Sequence, residues 1–212
     1  MRILYLTALI VVCASVANAR PVSYPTGWTA MQSNDAFSNS VHVHYSPTAR
    51  YSIGYKGEYF RGKQWQFHGA QLNNLIKRWN KPDSQANFYL KSAAGIAYSD
   101  YGNFSGKTEA AGFTGIAADW ENRRFFTSYE NRLIYAGDIE KGFSQKARVG
   151  VTPYIGDYGD WHTWLMLQTD HDPEAKDKVT VTPLVRFFKG ANLLEAGVSN
   201  KGKVLFNYVY RF

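Results

Sequence analysis

The residues most suited to chemistry stand close together near the start of the sequence. His42, His44 and Ser46 alternate along the chain, so in an extended strand their side chains point to the same side. A histidine can activate a serine hydroxyl when a carboxylate orients its ring, and Glu58 follows twelve residues after Ser46. The spacing indicates a candidate catalytic set, with Ser46 as nucleophile, His44 as base and Glu58 as the orienting residue.

This arrangement resembles a known family of enzymes. His44-Tyr45-Ser46 followed by Glu58 is similar to the His-x-Ser…Glu motif of the outer-membrane lipid A 3-O-deacylases. The resemblance implies a lipid-modifying activity for the same three side chains. Pro47 stands where that family carries Asn, and the motif lies near the N-terminus rather than near the C-terminus. A lipid-modifying enzyme is therefore the alternative function, and no enzymatic activity is our main expectation.

The histidines also suggest a metal site. His42, His44, His68 and His162 are all predicted to face the inside of a barrel, and imidazole nitrogens suit Cu or Zn. The competing interpretation is that they are four unrelated polar residues, with no metal and no cofactor. A cysteine-ligated metal is excluded from the mature chain, because the single cysteine, Cys13, lies in the predicted leader.

The first residues predict export. One positive charge at Arg2 precedes an apolar run from Ile3 to Val16, which ends in Ala17-Asn18-Ala19. This is the layout of a secretory signal peptide cleaved after Ala19, and the run is shorter than the ~20 residues of a membrane-spanning helix. We predict two segments, a signal peptide over residues 1–19 and a single domain over residues 20–212.

The composition narrows the possible partners. The chain has a net charge of +7, but no run of Lys and Arg exists, so binding to nucleic acid is not expected. Aromatic residues make up 16% of the chain, and 15 of them are tyrosines. After the leader, no apolar stretch is long enough to form a spanning helix.

Alternation dominates the rest of the sequence. Apolar residues occupy every second position in 204–212 and in most of 179–187, which is typical of strands with one polar and one apolar face. The segments match the ~9–11 residues of a tilted transmembrane strand. Aromatic residues gather at their ends, where a membrane barrel has its girdles: Tyr98, Trp120, Phe125, Tyr135, Trp161 and Phe187. A transmembrane antiparallel β-barrel is favoured over a β-sandwich.

The last strand carries a second resemblance. Tyr208, Tyr210 and Phe212 alternate up to the final residue, and this pattern resembles the C-terminal strand of bacterial outer-membrane β-barrel proteins in general. The resemblance implies recognition by the barrel-assembly machinery and a location in the cell outer membrane, in contact with its lipid. It points to no specific family.

The number of strands follows from the segments between turns. Eleven segments alternate after residue 38, and 27–32 supplies a twelfth, because single-chain bacterial barrels have an even number. Twelve strands are predicted, with ten as the alternative. The one long periplasmic connection is predicted over 77–85, as a turn or as a docking segment for an unknown periplasmic partner.

The side chains at the strand positions that face away from lipid are predicted to line the lumen. These positions hold more bases than acids, and the lining candidates are Arg50, Lys56, Lys91, Arg124, Glu130, Arg132, Lys146, Arg148, Arg186 and Arg211. An open lumen of this kind predicts a passive or anion-preferring channel, or a component of an envelope transport system. A narrow barrel filled with paired charges is the competing interpretation, and a purely structural envelope protein is a further alternative.

Overall fold

The structure is a computed structural model that describes residues 22–157 and 159–212. The predicted signal peptide and its cleavage site after Ala19 lie outside the described residues. Within the described ranges, no helix is long and apolar enough to cross a membrane. Apart from one short 3₁₀ helix over Gly102–Phe104, the regular structure described is β-strand.

Twelve strands in the described chain form one closed antiparallel barrel. Their bounds are β1 Gly27–Asn34, β2 Ser38–Thr48, β3 Tyr51–Phe60, β4 Trp65–Asn80, β5 Ser84–Ser99, β6 Lys107–Asn122, β7 Phe125–Ala136, β8 Glu140–Val151, β9 His162–His171, β10 Val179–Lys189, β11 Asn192–Val198 and β12 Val204–Arg211. Each strand pairs with its neighbours in sequence, and β1 pairs with β12 to close the barrel. The predicted fold and the count of twelve are confirmed.

The alternation of side chains separates the inside of the barrel from the outside. In β12, Phe206, Tyr208 and Tyr210 are exposed on the exterior, whereas Leu205 and Val209 are buried inside. Across the sheet, exposed apolar residues such as Ile53, Leu133 and Leu165 cover the outer surface. Because a polar solvent disfavours so large an apolar surface, this exterior suits contact with lipid chains.

The barrel has two distinct ends. The near end holds the described N-terminal residues and the C-terminus, where the backbones of Trp28 and Phe212 exchange hydrogen bonds of 2.8 and 3.0 Å. The far end holds the turns at 35–37, 61–64, 100–106, 137–139, 172–178 and 199–203. Exposed aromatic side chains occur towards both ends, as with Trp28 and Trp120 at the near end and Tyr59 and Tyr135 at the far end.

The predicted long connection over 77–85 was wrong. β4 and β5 extend to Asn80 and from Ser84, so only residues 81–83 form the turn. Polar side chains hold the extension together: Arg78 Nε donates to Asn87 Oδ1 at 2.7 Å, and Gln85 Nε2 donates to Asn80 Oδ1 at 2.6 Å. Among the near-end connections, the longest is instead the one that follows Val151 of β8 and precedes His162 of β9.

Candidate functional site

The lumen is filled over much of its length. Many inward polar side chains, which water would contact in an open pore, have almost no exposed surface. Six of them are only 0–1% exposed: Thr29, His44, Ser52, Asn73, Asn87 and Gln168. Such burial means that other parts of the chain cover these inward positions. The structure therefore shows a barrel with a packed interior and restricted space for water.

An apolar cluster occupies the far half of the lumen beside β4–β7. Trp65 and Phe67 are buried at 1% and 0% exposure and pack with Phe113 and Ile139. The ring of Trp65 stacks on Phe60 with centroids 4.1 Å apart. Burial of aromatic surface is strongly stabilising, so this cluster fixes one side of the lumen.

The residues before β1 enter the near end of the lumen. Val22, only 2% exposed, belongs to a buried cluster with Tyr89 and Ala117. The backbone N–H of Ser23 donates to Ser46 Oγ at 3.1 Å. This N-terminal segment, Val22 to Ser23, therefore closes part of the near end, a feature that the alternation of the strands did not predict.

Glu58 is the centre of one group of charges. It accepts a hydrogen bond of 2.7 Å from Arg132 and another of 2.7 Å from Ser38 Oγ, and Lys56 Nζ lies 3.7 Å away. The guanidinium of Arg132 lies 5.3 Å from the ring centroids of both Phe60 and Phe113. A buried carboxylate needs such partners, and these contacts join β3 to β7 across the lumen.

A second group of charges continues towards β10. Lys146 Nζ lies 3.2 Å from Asp35 and 3.6 Å from Asp170. Glu195 accepts hydrogen bonds from Arg148 at 2.8 Å and Arg186 at 2.6 Å. Gln168 connects the two parts, because it donates to Asp170 at 2.7 Å and accepts from Arg148. Ser38, which lies within 3.5 Å of Asp35, links this group to Glu58, so one network crosses the lumen.

Asp35 lies in the far-end turn but its carboxylate belongs to this network. Burial alone would raise the pKa of Asp35, but Lys146 and the N–H groups of Phe37 and Ser38 outweigh burial and hold it well below its usual range. The hydrogen bonds from Phe37 and Ser38 are 2.9 and 2.8 Å long. Asp35 therefore anchors the β1–β2 turn to β8 as a charged group.

The predicted excess of bases in the lumen is not present. Arg50 and Arg124 lie in exposed near-end turns, because the strands end before them, and they do not line the lumen. The structure places the other lining candidates on inward positions: Lys56, Lys91, Glu130, Arg132, Lys146, Arg148, Arg186 and Arg211. It adds Asp35, Asp170 and Glu121 as buried or half-buried acids, so bases and acids are close to balanced.

Two adjoining cavities lie in the far half of the lumen. One of about 390 Å³ lies at the far end between Phe37, Phe60, Arg61 and Lys203, and one of about 240 Å³ lies deeper among His42, Lys56, Lys91 and Lys146. Phe37, Phe60, Arg132, Ser144 and Asp172 border both. Solvent thus has space in the far half of the barrel.

The candidate catalytic residues do not form a hydrogen-bonded set. Neither ring nitrogen of His44 has a hydrogen-bond partner. Glu58 pairs across the sheet with Ser40, whereas His44 pairs with Gly54, and Glu58 is engaged by Arg132 and Ser38. Ser46 is fully buried beneath the N-terminal segment. The relay that the deacylase resemblance implied is therefore not assembled, and its serine has no access to lipid.

The four candidate metal ligands are also not brought together. His42 and His44 are adjacent inside the barrel, with ring centroids 4.5 Å apart. His68 is exposed on the exterior, where its Nδ1 lies 2.6 Å from the hydroxyl of Tyr55, so its predicted inward position was wrong. His162 keeps the inward register but packs near Phe188. In the described ranges, no three His, Cys, Asp or Glu residues are grouped to hold a metal.

Comparison with known proteins adds information about the fold. No protein-family model matches the chain, and no curated protein shows significant similarity to it. Among solved structures, a KdgM porin and a "KdgM porin in complex with disordered oligogalacturonate" are similar, at 7% and 6% identity. Each has a TM-score of 0.50, and each comparison covers 88% of this chain and 98% of the other. The closed twelve-strand antiparallel barrel of this chain is thus similar to the fold of these two porins. At such low identity, the similarity concerns the fold alone.

Proposed function

We propose that the protein is a small outer-membrane channel, closed in the described conformation. The observation that carries this proposal is the uneven distribution of space inside the barrel. The far half holds two adjoining cavities of about 390 and 240 Å³, whereas the near half is filled by side chains and by the N-terminal segment. A solute could enter from the far end but could not pass the near end without a rearrangement.

The outer surface supports the membrane location. Exposed apolar residues cover the middle of the barrel and exposed aromatic residues lie towards its ends, as in barrels that span the outer membrane. Both chain ends described by the structure lie at the near end, which would face the periplasm in such barrels. The predicted signal peptide agrees with export to this membrane.

The charges support a passive channel more than an anion-preferring one. Lys56, Lys146 and Arg132 each contact a carboxylate at the deeper cavity, and Lys91 contacts Glu130 at 2.7 Å. Because the field of a paired base is largely cancelled, little attraction for anions is left. We therefore expect weak ion selectivity when the channel opens.

The experiment is a conductance measurement in planar lipid bilayers on wild type and a Val22→Glu variant. A glutamate cannot remain in the buried cluster with Tyr89 and Ala117 without a partner, so the N-terminal segment should leave the lumen. We expect rare, small openings from wild type and several-fold higher conductance from the variant. Tyr24→Ser is the matched control, because Tyr24 belongs to the same part of the chain and is 52% exposed; it should behave as wild type.

Heat-modifiable gel mobility verifies that each variant is folded before it is reconstituted. A large, steady wild-type conductance would contradict the closed state. No conductance from either folded protein would contradict the channel and favour a purely structural envelope protein. A strong preference for anions in the open variant would show that the internal bases are less neutralised than we propose.

A further inference from the structure

Two buried histidines in the middle of the lumen have ring nitrogens without hydrogen-bond partners. His42 is 6% exposed and His44 is fully buried, and their ring centroids are 4.5 Å apart. Nε2 of His42 and both ring nitrogens of His44 are without a hydrogen-bond partner. Buried polar atoms are rarely left unsatisfied, and all three nitrogens belong to one pair of adjacent rings. Three unpartnered nitrogens on two adjacent rings indicate that the histidine pair is a binding site for a ligand.

A third potential ligand lies on the neighbouring strand. Met31 of β1 is the direct cross-strand partner of His42, and directly opposed residues in an antiparallel pair have Cβ atoms about 4.5–5.5 Å apart. Both side chains face inward and border the deeper cavity. Thr29, opposite His44, has a buried hydroxyl that also lacks a partner. The pair therefore has a thioether beside it and no carboxylate directly opposite on either neighbouring strand.

We propose that Met31, His42 and His44 bind Cu(I) inside the lumen. Imidazole and thioether are ligands that Cu(I) favours, whereas Mg²⁺, Ca²⁺ and Mn²⁺ prefer oxygen ligands. On the other side, His42 is paired with Lys56, and Thr29 is paired with Arg211. Positive neighbours oppose a bound cation, and they oppose a monovalent ion less than a divalent one. The surroundings thus favour Cu(I) over Zn²⁺ and Cu²⁺.

Three residues on two adjacent strands can form this Cu(I) site because their side chains project to the same side of the sheet. His42 and His44 are two positions apart on β2, so both rings project to the same side, and Met31 projects into the same space from β1. Met is flexible enough to adjust its sulfur to a neighbouring ligand. This site needs no residue from the opposite wall, unlike the four-histidine site that the sequence suggested.

The first test measures Cu(I) affinity of the full mature protein in detergent. Under anaerobic, reducing conditions, Cu(I) competes between the protein and a chromophoric Cu(I) chelator. We expect wild type to bind one ion per chain and Met31→Leu and His44→Asn to bind at least about tenfold more weakly. Leu conserves the volume of Met closely, so Met31→Leu tests the sulfur and not the packing.

Two matched controls come from β9. Met166 and His162 are also on the inward register of their strand, so Met166→Leu and His162→Asn repeat the same chemical changes away from the proposed site. Both should keep wild-type affinity, and all variants should keep heat-modifiable mobility. Equal affinity in wild type and Met31→Leu, or no Cu(I) binding by folded wild type, would overturn the proposal.

X-ray absorption of the Cu(I)-loaded protein supplies a second readout. The wild-type spectrum should show both nitrogen and sulfur in the first coordination shell, and the sulfur should be lost in Met31→Leu. A shell of nitrogen alone in wild type would exclude Met31 as a ligand. Because both measurements are made in detergent without ion flow, they succeed or fail independently of the channel proposal.

Discussion

At the scale of single residues, the interior depends on charged side chains that satisfy one another. Glu195 shows this most clearly. It is 3% exposed and accepts hydrogen bonds from Arg148, Arg186 and Asn207. Two guanidinium groups share this one carboxylate, so Glu195 is the counter-ion of two positive charges, whereas a carboxylate in an ordinary ion pair is the counter-ion of one.

Glu195→Gln should therefore destabilise the barrel strongly. The substitution removes the buried carboxylate that Arg148 and Arg186 share, and loss of one partner of a buried ion pair costs about 3–5 kcal/mol. The measurement is the free energy of unfolding by denaturant in detergent or lipid. Asp138→Asn is the control, because Asp138 pairs with Lys107 at the far end and its side chain is 70% exposed. A Glu195→Gln variant as stable as Asp138→Asn would contradict the role of the network.

Asp35 gives a prediction about pH. Its pKa is lowered from the usual 3.8, so its charge stabilises the folded state above that pH, and this contribution is lost as the pH falls further. Asp35→Asn should lower stability by about 1 kcal/mol at neutral pH. The difference between wild type and variant should shrink progressively below pH 3.8. A difference that is constant down to pH 2 would mean that the charge is not what stabilises the turn.

The identity of the lining residues was only partly predictable from sequence. Lys56, Glu130 and Arg148 lie in the middle of regular strands, where the period of two fixes the side on which they project. Arg50 and Arg124 lie in turns between strands, where the alternation of inward and outward side chains no longer applies. Asp35 lies in the β1–β2 turn and Asp170 near the end of β9, and only the folded backbone shows that both carboxylates point into the barrel.

At the scale of elements, the strands were predictable because one face must be apolar and the turns carry Gly, Pro, Asn and Asp. The register of β4 was not. Trp65 and Phe67 point into the lumen, while Gln66 and His68 point outward, so an apolar residue did not indicate the lipid face here. The cause is the internal apolar cluster, which needs aromatic residues inside. Sequence alternation alone cannot distinguish two apolar environments on opposite sides of a sheet.

The closure between β1 and β12 gives a prediction for the last residue. Phe212 exchanges two backbone hydrogen bonds with Trp28, and its ring stacks on Tyr210 with centroids 5.5 Å apart. Phe212→Ala keeps the backbone hydrogen bonds but removes the proposed assembly signal. We expect it to fold in detergent in vitro but to reach the outer membrane in clearly reduced amount in cells.

Phe206→Ala is the control for this prediction. Phe206 is on the same exterior face of β12 and is 38% exposed, but it lies at the far end of the strand. The amount of the Phe206→Ala variant in the outer membrane should stay near that of the wild-type protein. Equal assembly of the two variants would contradict recognition of the C-terminal residue by the assembly machinery.

At the scale of the whole molecule, a closed twelve-strand barrel surrounds a largely filled interior. The wall is continuous, because the β1–β12 pairing leaves no open edge. Three groups of residues fill the lumen. They are the apolar cluster at the far end, the ionic network and the N-terminal segment. The sequence predicted the wall well, but the filling depends on contacts between residues far apart in the chain, which no local pattern reveals.

The most direct test of this account is the accessibility of single cysteines introduced into the lumen. The only natural cysteine is Cys13, in the predicted leader, so each mature variant carries one reactive thiol. Ser144 is partly exposed and borders both cavities, whereas Ser52 is fully buried in the near half. With a small charged thiol reagent, Ser144→Cys should be modified rapidly and Ser52→Cys only after unfolding. Equally rapid modification of both in the folded protein would show an open, water-filled pore and contradict the closed state.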